Sequence, residues 1–350
     1  MARRKPKRLK VFLGIAIPLA IVGICGAFIY RAVVREQLRG PLMDAIRGRD
    51  PDEVSKLIAR GADPNARAKP PITGGWMEVL KSLFRKQPKD NEETYSTALM
   101  VACESNKPAV AEVLIKAGAE VNARRLDGWT SLAFAARNTP SDLVVLLLKH
   151  GAKVNVATAD GVTPLMLASG EGDTASVPLL LDRKADAKVV DKDNHQAIYF
   201  AGCKNRTTLY DTLLAHGADV NTVIDAESNY SNVHGTLLIN AVKLRRSETV
   251  DLLLNHDADT KPMDTSEDTA LSAAVKPLIQ ERNDYDGNNL TEKDRQVIAS
   301  DYTHILHSLL DHGADPNVKL GEEPSLLFQS VDAGKADVAE ALLSARANAE

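Results

Sequence analysis

The residues with chemical potential are few, and most fall into a pattern. Four of the eight histidines, His150, His216, His256 and His312, each stand immediately before a Gly or Asp in closely similar surroundings. Imidazoles can serve as acid–base groups or metal ligands, but a side chain that recurs at one register is set by the repeat that carries it. His304 and His307 are spaced i, i+3 and could share a ligand, yet no third ligand accompanies them. Asp284, Asp286, Gly287, Asn288 and Asn289 have the flavour of a calcium loop. With Gly287 at position six, however, Arg282 and Lys293 fall at positions one and twelve, where a calcium loop needs carboxylates. A polar turn is the better reading. The three cysteines, at 25, 103 and 203, form no C-x-x-C pair, so a zinc or thiol-redox centre has no support. The sequence contains no glycine-rich phosphate loop, no G-x-S-x-G and no H-E-x-x-H. The expectation is no catalytic residue, no metal and no cofactor. Sequons stand at Asn205, Asn229 and Asn289 and matter only where lumenal proteins are glycosylated.

The elements that position these residues begin with an apolar run. Val11 to Tyr30 is twenty residues without a charge, enough for a helix to cross a hydrocarbon core of roughly 30 Å. Pro18 is tolerable in such a span, and Tyr30 sits where an interfacial aromatic belongs. A cleaved signal peptide is the alternative, but the small-residue site ending at Ala27 is poor and the apolar run continues past it. Six Lys/Arg precede the run and three follow within nine residues, which places the N-terminus on the cytoplasmic side and the remainder across the membrane. In a bacterium that side is the periplasm. Residues 1–39 carry nine basic side chains against Glu36, a net +8, so with −4 overall residues 40–350 carry −12. So acidic a body repels phosphate backbones, and nucleic acid is not expected as a partner.

Beyond residue 40 the sequence repeats. GADPN at 61, GAEVN at 118, GAKVN at 151, GADVN at 217 and GADPN at 313 are joined by the degenerate copies KADAK from 184, DADTK from 257 and RANAE from 346. Four of the seven intervals between their starts equal 33 residues. A second signature stands 21 residues ahead wherever no insertion intervenes: TALMVAC from Thr97, TSLAFAA from Thr130, TPLMLAS from Thr163, QAIYFAG from Gln196 and TLLINAV from Thr236. TALSAAV from Thr269 and SLLFQSV from Ser325 continue it, and Leu-rich runs such as 143–151 lie between the two signatures. Thr can cap a first helix, Leu at helical spacing can bury a second, and Gly can end it in the left-handed region. The pattern resembles the ankyrin repeat, although only Thr163-Pro164 preserves its T-P and no copy keeps its His.

The resemblance implies an all-α ankyrin-repeat solenoid of about eight repeats, here preceded by one transmembrane helix. The expected organisation is a basic cytoplasmic tail (1–10), a transmembrane helix (11–30), a linker (31–39) and a repeat domain (40–350). The excess lengths place insertions within 66–96, 222–235 and 275–301. In the first of these, Trp76, Val79, Leu80, Leu83 and Phe84 follow helical spacing, with basic residues flanking the stripe. Such a helix could rest on lipid headgroups, dock a partner or fold back on the repeats.

Ankyrin proteins commonly bind through the turn residues before the first helix and those just after its Ala pair. Carried onto this sequence, the resemblance offers Leu126, Asp127, Trp129, Arg137 and Asn138 in repeat three. Repeat four offers Ala159, Asp160 and Glu171, and repeat five Lys192, Asp193, His195 and Lys204. Trp129 stands out as an aromatic on a polar tip. The expected function is a membrane-tethered protein-binding module, an adaptor or inhibitor such as an immunity-type protein, with another protein as partner and the bilayer holding residues 11–30. A structural spacer within a membrane assembly is the alternative. An enzyme with an unrecognised site ranks third.

Overall fold

The computed structural model describes residues 8–69, 94–138, 142–228, 231–264, 266–279, 291–318 and 324–348, with side chains from residue 27 onward except 225–234 and 292. Two units divide it, Met1–Pro164 and Leu165–Glu350. The first holds α1 (Arg8–Gly48), α2 (Pro51–Ala59), α3 (Ala98–Glu104), α4 (Pro108–Lys116), α5 (Ser131–Ala136) and α6 (Asp142–Lys149). Helix α7 (Pro164–Glu171) opens at the boundary. The second unit continues with α8 (Ser176–Asp182), α9 (Ala197–Cys203), α10 (Tyr210–Ala215), β1 (Val223–Ser228) and β2 (Ser231–Thr236). It closes with α11 (Leu237–Lys243), α12 (Ser247–Asn255), α13 (Ala270–Ile279), α14 (Glu292–Asp311), α15 (Leu326–Asp332) and α16 (Ala336–Ser344).

Packing follows the repeat. In the first unit α1, α3 and α5 pack in succession, as do α2, α4 and α6. In the second, α11, α13 and α15 form one row, while α12, α14 and α16 form the other. First helices are short and small-sided: Ala98, Ala102, Ala135 and Ala136 are fully buried, so neighbouring backbones approach closely. Second helices bury Leu114, Leu147, Leu213 and Leu253 completely.

Local chemistry sets the ends of these helices. Thr97, Thr130, Thr236 and Thr269 each cap a first helix by accepting from the backbone N–H three residues on, at 3.2–3.3 Å. After each second helix the chain enters the left-handed region, at Gly61, Gly118, Gly151, Gly217 and Gly313. Lys184, Asp257 and Arg346 adopt the same conformation without glycine's freedom. The histidines that precede this position are helix caps: Nδ1 of His216 and of His312 bonds the carbonyl four residues back, at 2.8 Å in each case. Their recurrence therefore reflects the end of a helix and not a catalytic array.

The asparagine closing each G-A-x-x-N has a role that its type alone does not reveal. Asn122 accepts from Lys153 N–H at 2.8 Å and donates to the Gly151 carbonyl at 2.9 Å. Asn65 does the same with Glu120 and Gly118 across the first insertion, and Asn317 with Asn348 and Arg346. Each asparagine amide thus replaces a backbone pairing between one repeat and the next.

Three expectations need comment. Residues 31–39, read as a linker, continue α1 without a break, since Arg, Val, Glu, Gln and Leu favour helix and no Gly occurs before Gly40. The fold also departs from all-α at the second insertion, where β1 and β2 pair antiparallel from Val223↔Thr236 to Ser228↔Ser231. Ile224 anchors this hairpin by burying itself against α9. Finally, among the described residues no helix is long and apolar enough to cross a membrane. Residues 11–26 lie within α1, but their side chains, and with them most of the apolar-run reading, fall outside the description.

Candidate functional site

Hairpin tips project between successive repeats, and the sequence assigns the binding residues to them. In repeat three, Arg124 bridges Thr130 and the turn closes through Arg125 N–H on the Trp129 carbonyl at 2.9 Å. Gly128 is required twice over. Its φ is +83°, and a Cβ there would stand 2.8 Å from the backbone of Thr158 and Ala159. The Asp127 carbonyl accepts from Ala159 N–H at 2.7 Å, which joins this tip to the next.

Side chains on the repeat-three tip form a cation–aromatic stack. Trp129 is half-buried against Phe134, with ring centroids 4.7 Å apart. Arg137 lies 5.7 Å over the Trp129 ring and Arg125 lies 5.8 Å over Phe134. The carboxylate of Asp127 accepts from Arg125 Nε at 2.9 Å, and that hydrogen bond holds the Asp127 carboxyl below its ordinary range. Leu126 stands 57% exposed beside this group. Asn138 is committed inward: its amide donates to the carbonyls of Cys103 and Phe134, at 3.1 and 3.0 Å. The proposed cluster thus separates into an outward part, Leu126 with the Trp129–Arg137 stack, and the inward clasp of Asn138.

Asp160 and Ala159, on the repeat-four tip, are exposed, as is Glu171 at the end of α7. In repeat five, His195 stacks flat on Tyr199 at 3.6 Å, while Phe200 meets it edge-on at 6.3 Å. Lys192, Asp193 and Lys204 are exposed around this second aromatic cluster. The sequence reading missed Phe134, Tyr199 and Phe200. Their signal was an aromatic within the first helix, three or four residues past the capping position.

Asp191, Asp193 and His195 place three potential ligand atoms within 4.8 Å of one another, a geometry able to hold a metal ion. Asp191 Oδ1, however, already accepts from the N–H groups of Asp193 and His195, at 3.0 and 2.8 Å. Asp264 is held in the same way by Ser266 and Asp268 at the repeat-seven tip. The arrangement is therefore explained by the hairpin. His304 is exposed and its Nε2 bonds Asp251 of α12 at 2.8 Å. Trp76, Val79, Leu80, Leu83 and Phe84, together with the 284–289 turn, lie outside the described residues.

A family model described as ankyrin repeats (3 copies) matches residues 73–158 and again 141–224. No curated protein matches the chain. Through the matched stretch, which contains both aromatic tips, the chain carries ankyrin repeats, and such repeats mark a protein–protein interaction module.

Proposed function

We propose that this chain is a membrane-tethered adaptor or inhibitor that holds another protein against the hairpin tip of repeat three. One observation carries the reading: the exposed Leu126 stands beside Trp129, whose ring is fixed between Phe134 and Arg137. A rigid aromatic flanked by arginine, with an adjacent exposed aliphatic side chain, is the composition of a binding hot spot. Its order is set before any partner arrives, which lowers the entropic cost of association. No part of this arrangement requires bond-making chemistry, and we read the chain as a binder, not an enzyme.

The tether rests on the sequence. The uncharged run Val11–Tyr30 is long enough to span a bilayer, and the excess of Lys/Arg before it keeps the N-terminus cytoplasmic. The repeats then face the extracytoplasmic side, the periplasm in a bacterium, where an immunity-type inhibitor of a secreted toxin is one concrete form of the function. Helix α1 continues from this run into the first repeat.

The test is affinity capture of the full-length chain from mildly solubilised membranes, beside Leu126→Asp and Trp129→Ala. Leu126→Asp alters an exposed side chain and leaves the stack intact. A stoichiometric partner present with the natural chain and lost with both variants is the expected result. A partner that survives both substitutions would move the site elsewhere, and absence of any partner would favour the spacer reading.

A further inference from the structure

One register sets the start of the second helices, and it is filled in two opposite ways. Asp50, Lys107, Asp173, Arg206 and Arg246 each stand eleven residues before the first residue of a G-A-x-x-N copy, complete or degenerate. The carboxylate of Asp50 accepts from Glu53 N–H at 2.9 Å, and that of Asp173 from the N–H groups of Ala175 and Ser176 at 3.0 Å. Each supplies the acceptor and the negative charge that the free N–H groups of a helix N-terminus favour. Arg246 reverses both. It precedes α12, a helix of nine residues, and its side chain makes no capping bond, so a guanidinium stands at the positive end of the helix.

Two further observations converge on Arg246. Its Nε is buried, and among the described residues it has no hydrogen-bond partner. Arg245 beside it pairs with Asp301 at 3.8 Å, while Glu248 of α12 is exposed. The second observation is Tyr210 of α10, in the preceding repeat. It holds a position that Val54, Val144, Val177 and Val250 fill in theirs, each 0% exposed. Tyr210 is 2% exposed, so it brings a hydroxyl into a place that is otherwise apolar. Among the described residues none hydrogen-bonds that hydroxyl. Burial raises the Tyr210 pKa, which keeps the hydroxyl protonated and able to donate, and the charge of Arg246 acts against part of the rise. At the Lys107 register the position of Tyr210 is held by Ala111, which brings no second donor.

We infer that the start of α12 is a carboxylate-binding site, formed by the Arg246 guanidinium, the Tyr210 hydroxyl and the free N–H groups of the helix. Buried polar groups in folded proteins are nearly always satisfied, and these three are all donors that share the need for an acceptor. The bound carboxylate takes the place that Asp50 and Asp173 fill in their own repeats. Carboxylate is assigned because this register already uses it, and because the planar fork of a guanidinium matches its two oxygens. Its source is a small free carboxylate or an acidic side chain of a bound protein.

The experiment follows the arginine Nε–H resonances of the full-length chain, isotopically labelled at arginine, in detergent. Sodium acetate is titrated against sodium chloride at equal ionic strength. The Arg246 resonance, assigned by its absence from Arg246→Gln, is expected to shift saturably with acetate and not with chloride. Tyr210→Phe is expected to weaken that response several-fold. Arg246→Asp supplies the carboxylate from the chain itself, so it should melt above Arg246→Gln and gain nothing further from acetate. Equal responses to acetate and chloride, or a response that never saturates, overturn the inference. So does an Arg246→Asp midpoint no higher than that of Arg246→Gln, and an unchanged response in Tyr210→Phe overturns the assignment of the hydroxyl. Affinity capture with Arg246→Gln separates the sources. Loss of a stoichiometric partner assigns the carboxylate to that partner, and its retention beside a saturable acetate shift assigns a free one. These variants leave Leu126 and Trp129 unaltered, so failure here is distinguishable from failure of the proposed function.

Discussion

Ile224 of β1 lies so close over Gly202 of α9 that a Cβ on the glycine would stand 2.4 Å from Ile224 Cδ1. Gly202 is thus kept for space and not for a left-handed backbone. Gly202→Val is expected to destabilise the second unit by about 1–3 kcal/mol through overpacking. Ile224→Ala in the same chain should recover part of that loss. Urea midpoints for the two single variants and the double variant measure the coupling, and strictly additive effects would refute the contact.

Asn122 links two repeats by accepting from Lys153 and donating to Gly151. Asn122→Ala removes both bonds and should cost about 1–2 kcal/mol. Asn122→Asp keeps the acceptor and loses the donor, so it should fall between Ala and the natural residue. Equal midpoints for Ala and Asp in urea unfolding would show that the accepted bond contributes nothing.

Asp251 fastens α14 to α12. Burial alone would raise its carboxyl, but hydrogen bonds from Ser308 at 2.7 Å and from His304 outweigh that, and its pKa is lowered. A carboxyl lowered on folding contributes stability above its unfolded value, about 3.9, and loses it as pH falls through the lower folded value. Stability should therefore decline on acidification below about pH 4 more steeply in the natural chain than in Asp251→Asn. Thermal midpoints from pH 5 to pH 2 test the sign, and parallel curves would remove Asp251 as a contributor.

Lys184 takes φ +67° where other copies of the motif have glycine. A side chain in that region costs about 1–2 kcal/mol, more than glycine's entropic penalty. Lys184→Gly is expected to raise stability by about 0.5–1 kcal/mol. A fall in the urea midpoint would mean that contacts of the lysine side chain outweigh its backbone strain.

Much of the architecture was legible because it rests on short-range chemistry. Thr97 and Thr130 announce helix starts through capping, and Gly118 and Gly151 announce helix ends through left-handed backbone. Their common spacing then fixes which helices are neighbours. The candidate site was less legible. Trp129 could be picked out by type, but nothing in its spacing said that Arg137 would cover its ring or that the equally polar Asn138 would turn inward to Cys103 and Phe134. Two neighbours at the end of one helix point opposite ways, and only the fold of the turn separates them.

By itself, then, the sequence determined the repeat, its register and the places where extra residues break it, since each depends on bonds made within a few residues. Tertiary structure alone decided how the insertions were used. At 222–235 a hairpin formed because Ile224 found a space over Gly202, and in repeat seven α14 was fixed by Asp251 on a helix far away in sequence. It also decided which apolar positions remain uncovered. Phe328 and Ile239 occupy the same register, and one is exposed while the other is buried because burial depends on whether another surface packs against that face.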